Sequence, residues 1–141
     1  MSRTMKALLG AWIFALAIAA GWIGWDAWQG GKPSIGGPFA LTDQDGRTVT
    51  SDSLKGKPTL IYFGFTYCPD VCPTAMSDLA QARQLLGKDG ERVQGIFITL
   101  DPERDTPEVL KAYATNFAPD FLALRGDDTQ TAATAKAFKV F

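Results

Sequence analysis

The residues that most constrain this chain are Thr59-Leu60-Ile61-Tyr62-Phe63-Gly64-Phe65, a continuous apolar run that leads within one short loop into Cys68, Cys72 and Pro73. Branched and aromatic side chains with no polar alternation predict a strand buried on both faces. Proline disfavours helical geometry at the residue before it but is tolerated in a helix's first turn. Pro73 therefore predicts a helix start, with Cys72 as the cap and Cys68 on the preceding loop. Both sulfurs then sit at the helix amino end, on the carboxyl edge of a sheet.

The remainder from Pro38 onward alternates strand and helix signals. Phe39-Ala40-Leu41-Thr42 and Thr48-Val49-Thr50 flank Asp43-Gln44-Asp45-Gly46, a hairpin signal. Ser51 to Lys57 reads as a short helical turn. The cysteine-bearing helix places Met76, Leu79, Arg83 and Leu86 along one side and ends at Gly87 and Gly90. Gly95 to Leu100 reads as a second buried strand. Thr106-Pro107-Glu108 is a strong helix start: a cap, a proline in the first turn, then an acid facing the positive helix end. That helix carries Val109, Leu110, Tyr113 and Phe117. Phe121 to Leu124 makes a further strand, and Thr129 to Lys139 a last helix with Ala132, Ala135 and Phe138 on one face. Strands alternating with helices predict an α/β fold with parallel strand pairs.

Two cysteines alone cannot staple a fold of 141 residues, so their closeness indicates a local chemical site. The positive end of a helix favours thiolate over thiol. Two adjacent thiolates bind a soft ion such as Cu(I), or close into a disulfide. Zinc is disfavoured, because structural zinc takes four ligands and this sequence supplies two cysteines and no histidine. A thiol–disulfide oxidoreductase is the enzyme alternative, although its usual signature is C-x-x-C and this chain has one more intervening residue. Inert core thiols or a plain disulfide are the remaining alternative. With 14 basic and 15 acidic residues, no large field points to nucleic acid.

Phe63-Gly64-Phe65-Thr66-Tyr67-Cys68-Pro69-Asp70-Val71-Cys72-Pro73-Thr74 resembles the copper motif of the Sco (SenC) family, and Asp101-Pro102-Glu103-Arg104-Asp105-Thr106-Pro107 resembles its second signature. The likeness covers Pro38 to the end of the chain. It implies a thioredoxin-like (peroxiredoxin-like) domain that serves assembly of the binuclear copper centre of cytochrome c oxidase, as copper chaperone, thiol reductant or both. It also implies that Cys68 and Cys72 are the copper ligands, and the redox-active pair if the protein is a reductase. Asp70 would shape the loop, and Asp101, at a strand end, would face the site. The implied partners are the copper-bearing oxidase subunit or another copper chaperone. A peroxiredoxin-type peroxidase fits poorly, since Thr66-Tyr67-Cys68 lacks the T-x-x-C spacing.

Ahead of this domain, Ala7 to Trp25 runs for 19 residues without a charge. As a helix it would cover about 28 Å, close to a bilayer's hydrocarbon thickness. Arg3 and Lys6 precede the run, and Trp22, Trp25 and Trp28 cluster at its far end. The expected organisation is a single transmembrane anchor over residues 1–28, a linker over 29–37, and the copper-binding domain over 38–141. The domain would lie on the periplasmic or equivalent exported side of the inner membrane. A cleaved signal peptide is the alternative, with Ala15-Leu16-Ala17 as one candidate site. The family's third copper ligand is a histidine, absent from this sequence, and the ending Phe138-Lys139-Val140-Phe141 has no cap or turn. The expectation is therefore a truncated domain lacking its closing strands and last helix.

Overall fold

The computed structural model describes residue 12, residues 15–22 and residues 35–140. Residues 15–22 are helical. The rest of the expected anchor and most of the expected linker lie outside the described residues. Among the described residues, no helix is long and apolar enough to cross a membrane. Residues from Ile35 onward form one compact unit.

The strands of that unit are β1 (Ala40–Asp43), β2 (Thr48–Thr50), β3 (Thr59–Gly64), β4 (Gln94–Thr99) and β5 (Leu122–Arg125). Its helices are α1 (Val71–Leu85), α2 (Pro107–Thr115) and α3 (Asp128–Ala137), with short 3-10 turns at Ser51–Leu54 and Gly87–Arg92. One sheet contains all five strands in the order β2-β1-β5-β4-β3. The pairs β3–β4 and β4–β5 are parallel, as the alternation of strand and helix predicts, while β1 runs antiparallel to both β2 and β5.

The first hairpin forms because Asp43, itself buried, closes its own turn. Its carboxylate accepts from the N–H groups of Asp45 (2.9 Å) and Arg47 (2.8 Å), and Gly46 supplies the positive φ of 82° that the turn requires. Gln44, beside it, acts as a substitute strand partner: its Oε1 accepts from the Ala123 N–H at 2.8 Å, at the start of β5.

Side chains alternate between the two faces of β4. Phe97 joins Met76 and Ala80 of α1 and Leu110 and Ala114 of α2 in one apolar cluster. Ile96 and Ile98 point the other way, joining Phe39, Leu41, Val49 and Leu124, with Phe138 packed against them. Both sheet faces are thus covered.

Three expectations are corrected. The apolar run of β3 packs on both faces, Tyr62 against one cluster and Ile61 and Phe63 against the other, but it is not fully buried. It is an edge strand and only half-buried through Thr59–Phe63, and β4 is the fully buried strand. An apolar run reports what covers the two faces of a strand, not whether a neighbour pairs with each of its edges. Helix α1 begins at Val71, not Pro73, with Asp70 as the N-cap and Cys72 already inside the first turn. The missing N–H of Pro73 is one of the four that have no intrahelical partner anyway, so proline is accommodated as the third residue of the helix. The buried side of α3 is Thr131 and Thr134 rather than Ala132, which is exposed; Ala135 and Phe138 are half-buried. Thr134 can face the sheet because its hydroxyl bonds back to the Gln130 carbonyl at 2.7 Å, whereas the Thr131 hydroxyl has no partner among the described residues.

Candidate dithiol site

Two parallel strands end on the same edge of the sheet, and each passes through a loop into a helix. Strand β3 ends at Gly64 and leads through Phe65–Asp70 into α1. Strand β4 ends at Thr99 and leads through Leu100–Thr106 into α2. The Leu100 N–H donates to the Gly64 carbonyl at 2.8 Å, so the two loops leave the sheet side by side. This adjacency brings the two signature segments together although they are far apart in sequence.

In the first loop, the Cys68 N–H donates to the Phe65 carbonyl at 3.2 Å and closes a turn. The turn carries the Cys68 sulfur over the amino end of α1, where the Cys72 N–H donates to it at 3.4 Å. Cys72 is buried beneath, while Cys68 is half-buried, and both thiols are free. Gly64 makes room for the lower sulfur: a Cβ there would lie 3.0 Å from Cys72 Sγ and 3.1 Å from both Phe97 and Tyr62.

The two sulfurs differ electrostatically. The Cys68 thiol is held below its ordinary range, first by a hydrogen bond from the Cys72 side chain, then by the Cys72 backbone N–H and those of Asp70 and Val71. Burial pushes the Cys72 thiol up, and the neighbouring Cys68 adds to that. The Phe65 backbone and the Tyr62 hydroxyl oppose it. The helix end thus favours one thiolate, at Cys68, rather than two. Tyr62 is itself pushed up to about 12 by burial and then by Cys72. Tyr113, also at about 12, is raised by burial and then by the charges of Cys72, Cys68, Tyr62 and Asp105.

In the second loop, Thr106 caps α2 through its hydroxyl, which accepts from the Val109 N–H at 3.4 Å, and Pro107 is the first residue of the helix. Asp101, expected to face the site, pairs with Arg104 Nε at 3.0 Å. Asp70 shapes the loop through its carbonyl, which accepts from the Thr74 N–H and hydroxyl. Its carboxylate makes no capping bond. Among the described residues, no group of three or more His, Cys, Asp or Glu side chains is placed to hold a metal ion.

The residue that ties the loops together was not singled out from the sequence. Asp105, 1% exposed, accepts from the Thr66 N–H at 3.1 Å, from the Thr66 hydroxyl and from the Thr99 hydroxyl. Tyr62 and Tyr113 carry no signal in the sequence beyond their places on a strand and a helix, and Gly64 none beyond the strand and the first motif. For Asp105 the available signal was its place inside the second motif. For Gly64 it was a glycine at the end of an otherwise bulky run.

The SCO1/SenC family model matches residues 28–141. Over 110 residues, 78% of this chain, the sequence is 48% identical to a SCO2-like protein of Rickettsia prowazekii, covering 54% of that protein. The chain thus spans about half the length of this curated relative. ScoI of Bradyrhizobium japonicum with copper bound matches with a TM-score of 0.71 and 50% identity over 74% of this chain and 67% of that one. BsSco, a member of the Sco family of cytochrome c oxidase assembly proteins in which a disulfide switch was identified, matches with a TM-score of 0.59 and 33% identity. That match covers 73% of this chain and 63% of BsSco.

Proposed function

The chain belongs to the SCO1/SenC family, and on that premise we propose that it is a copper-binding assembly factor that takes up Cu(I) as cargo on Cys68 and Cys72. Its destination is the binuclear copper site of cytochrome c oxidase. The observation that carries this reading is the placement of two free sulfurs, four residues apart, with one over the N–H of the other at a helix amino end. Such a pair suits Cu(I), which accepts low coordination and prefers sulfur. The burial of Cys72 beside Tyr62 and Phe97 shields one sulfur from water. The half-exposed Cys68 is the one through which an incoming or departing ion would be exchanged.

Titration with Cu(I) under reducing conditions, against a chromophoric chelator, tests this. About one ion per chain is expected, and Cys68→Ser or Cys72→Ser should abolish uptake. Uptake that survives either substitution excludes the site.

A second reading is favoured by the inequality of the two thiols: a low-lying, half-exposed thiolate beside a buried thiol is the arrangement of an attacking and a resolving cysteine. In that role the protein reduces a partner's disulfide. The Cys68 thiolate attacks one sulfur, the other leaves as thiolate, and Cys72 then displaces the partner to close Cys68–Cys72. Turnover that persists in excess copper chelator distinguishes it from copper delivery.

The uncharged run at Ala7–Trp25, with positive residues before it, supports a membrane-anchored domain on the exported side. Retention in the membrane fraction after carbonate extraction, together with protease sensitivity from the exported face, tests that placement.

A further inference from the structure

We propose that Asp105 is a positioning residue for the dithiol: its carboxylate clamps Thr66 and, through the turn that Thr66 opens, fixes where the Cys68 sulfur stands. The inference deepens the dithiol reading and rests on it.

Both polar groups of one residue, the N–H and hydroxyl of Thr66, reach the two oxygens of this one carboxylate. Two bonds from one residue fix its orientation as well as its position. Thr66 and Tyr67 are the middle residues of the turn closed by the Cys68 N–H on the Phe65 carbonyl. A change in the setting of Thr66 therefore swings Cys68, whose sulfur depends on direction for its contact with the Cys72 N–H.

The base of the clamp is rigid. The Thr99 hydroxyl holds Asp105 Oδ2 from the strand side, and the same hydroxyl oxygen accepts from the Asp101 N–H at 3.0 Å. The Asp105 N–H returns to the Asp101 carbonyl at 3.0 Å, and α2 begins two residues later. A carboxylate 1% exposed and without an ion-pair partner among the described residues is costly to bury. Three hydrogen bonds from two threonines offset that cost, and two of the three point at the cysteine loop.

A purely architectural Asp105 would affect stability alone, so the test reads the sulfurs as well. Asp105→Asn, Thr66→Val and the double variant are made in the full chain. Each is measured by urea unfolding, by competition for Cu(I) with a chromophoric chelator, and by the dithiol–disulfide equilibrium of Cys68–Cys72 against glutathione. Asp127→Ala, which removes the cap of α3, is the control for destabilisation unconnected to the cysteine loop. Loss of an outer hydrogen-bonding partner at a metal site costs about tenfold or more in affinity, so each single variant is expected to weaken Cu(I) binding about tenfold. Each should shift the thiol equilibrium in the same direction, and the double variant should add little to either single one. The control should leave both sulfur readouts at wild-type values.

Variants that lose stability but keep wild-type sulfur readouts, or whose effects simply add, overturn the clamp. If Asp105→Asn does not fold, Thr66→Val, which preserves the branched shape, carries the test. If the wild-type chain takes up no Cu(I), the copper reading fails, and the glutathione equilibrium still decides on Asp105.

Discussion

The backbone N–H of Cys72 points at the sulfur of Cys68 across 3.4 Å, one of several influences that make the two cysteines chemically unlike. Cys68 is pushed below the ordinary thiol range and Cys72 above it. As pH rises, Cys68 therefore ionises first. Alkylation followed by peptide mapping should show Cys68 modified at a pH where Cys72 is still inert. The Cys72 side chain is the largest influence lowering Cys68. Cys72→Ala, which removes that donor, should therefore move the Cys68 reactivity profile to higher pH. Equal profiles for the two thiols would contradict the asymmetry.

Gly64 sits where a Cβ would meet Cys72 Sγ at 3.0 Å and carbon atoms of Phe97 and Tyr62 at 3.1 Å. Gly64→Ala overpacks that point from three sides. The expected cost is about 1–3 kcal/mol, read from urea unfolding. Because one of the three neighbours is a sulfur proposed to take up the ion, Cu(I) affinity should fall as well. A variant as stable as the parent with unaltered uptake would show that the loop yields freely.

Tyr113 packs its ring against Phe97 and Phe117, with centroids 5.1 Å away in each case. Its hydroxyl is buried and has no hydrogen-bond partner among the described residues. Removing an unsatisfied polar atom relieves desolvation without forfeiting a bond. Tyr113→Phe should thus be neutral or stabilising by up to about 1 kcal/mol. Tyr62→Phe differs, because that hydroxyl opposes the upward shift of Cys72. Cys72 should become slower still to alkylate, with little change in Cys68. A clear loss of stability in Tyr113→Phe would mean that its hydroxyl is bonded after all.

The sequence made some elements legible and hid others for identifiable reasons. Thr106-Pro107 marked a helix start because capping and proline preference act within one turn, and the structure places the start of α2 at Pro107. The pairing of Cys68 with Cys72 was legible for the same reason: four residues cannot stray far. Asp105 was not legible, since its partners Thr66, in the loop after β3, and Thr99, at the end of β4, become neighbours only through the parallel pairing of those strands. The edge position of β3 was hidden because hydrophobicity records burial of faces. The difference between the two thiols was hidden because it depends on depth: Cys72 is 5% exposed, and burial is the first cause of its shift.

Arg83 and Asp120 join α1 to the segment before β5, and the two ends of this pair are not equally placed. The guanidinium side chain is 11% exposed and the carboxylate 61%. Arg83 bonds both Asp120 oxygens, donates from Nε to the Gly90 carbonyl at 3.3 Å, and lies 5.1 Å from the Phe121 ring centroid. Asp120 is held below its ordinary value chiefly by Arg83, and Arg83 is raised by Asp120. Solvent screens the exposed carboxylate, so Asp120→Asn should cost no more than about 1 kcal/mol at neutral pH. Arg83→Met also gives up the Gly90 bond and the contact with Phe121, so it should cost more, about 1–3 kcal/mol. A carboxylate whose folded value is depressed stabilises the protein above its unfolded value of 3.8, and that stabilisation is lost as pH falls through the folded value. The stability gap between the parent chain and Asp120→Asn should therefore close in acid, whereas much of the Arg83→Met gap, which rests on packing and a backbone bond, should remain. Urea unfolding at neutral pH and below pH 3.8 separates the two. An Asp120→Asn gap that is unchanged in acid, or an Arg83→Met cost no larger than it, would assign the interaction to something other than this ion pair.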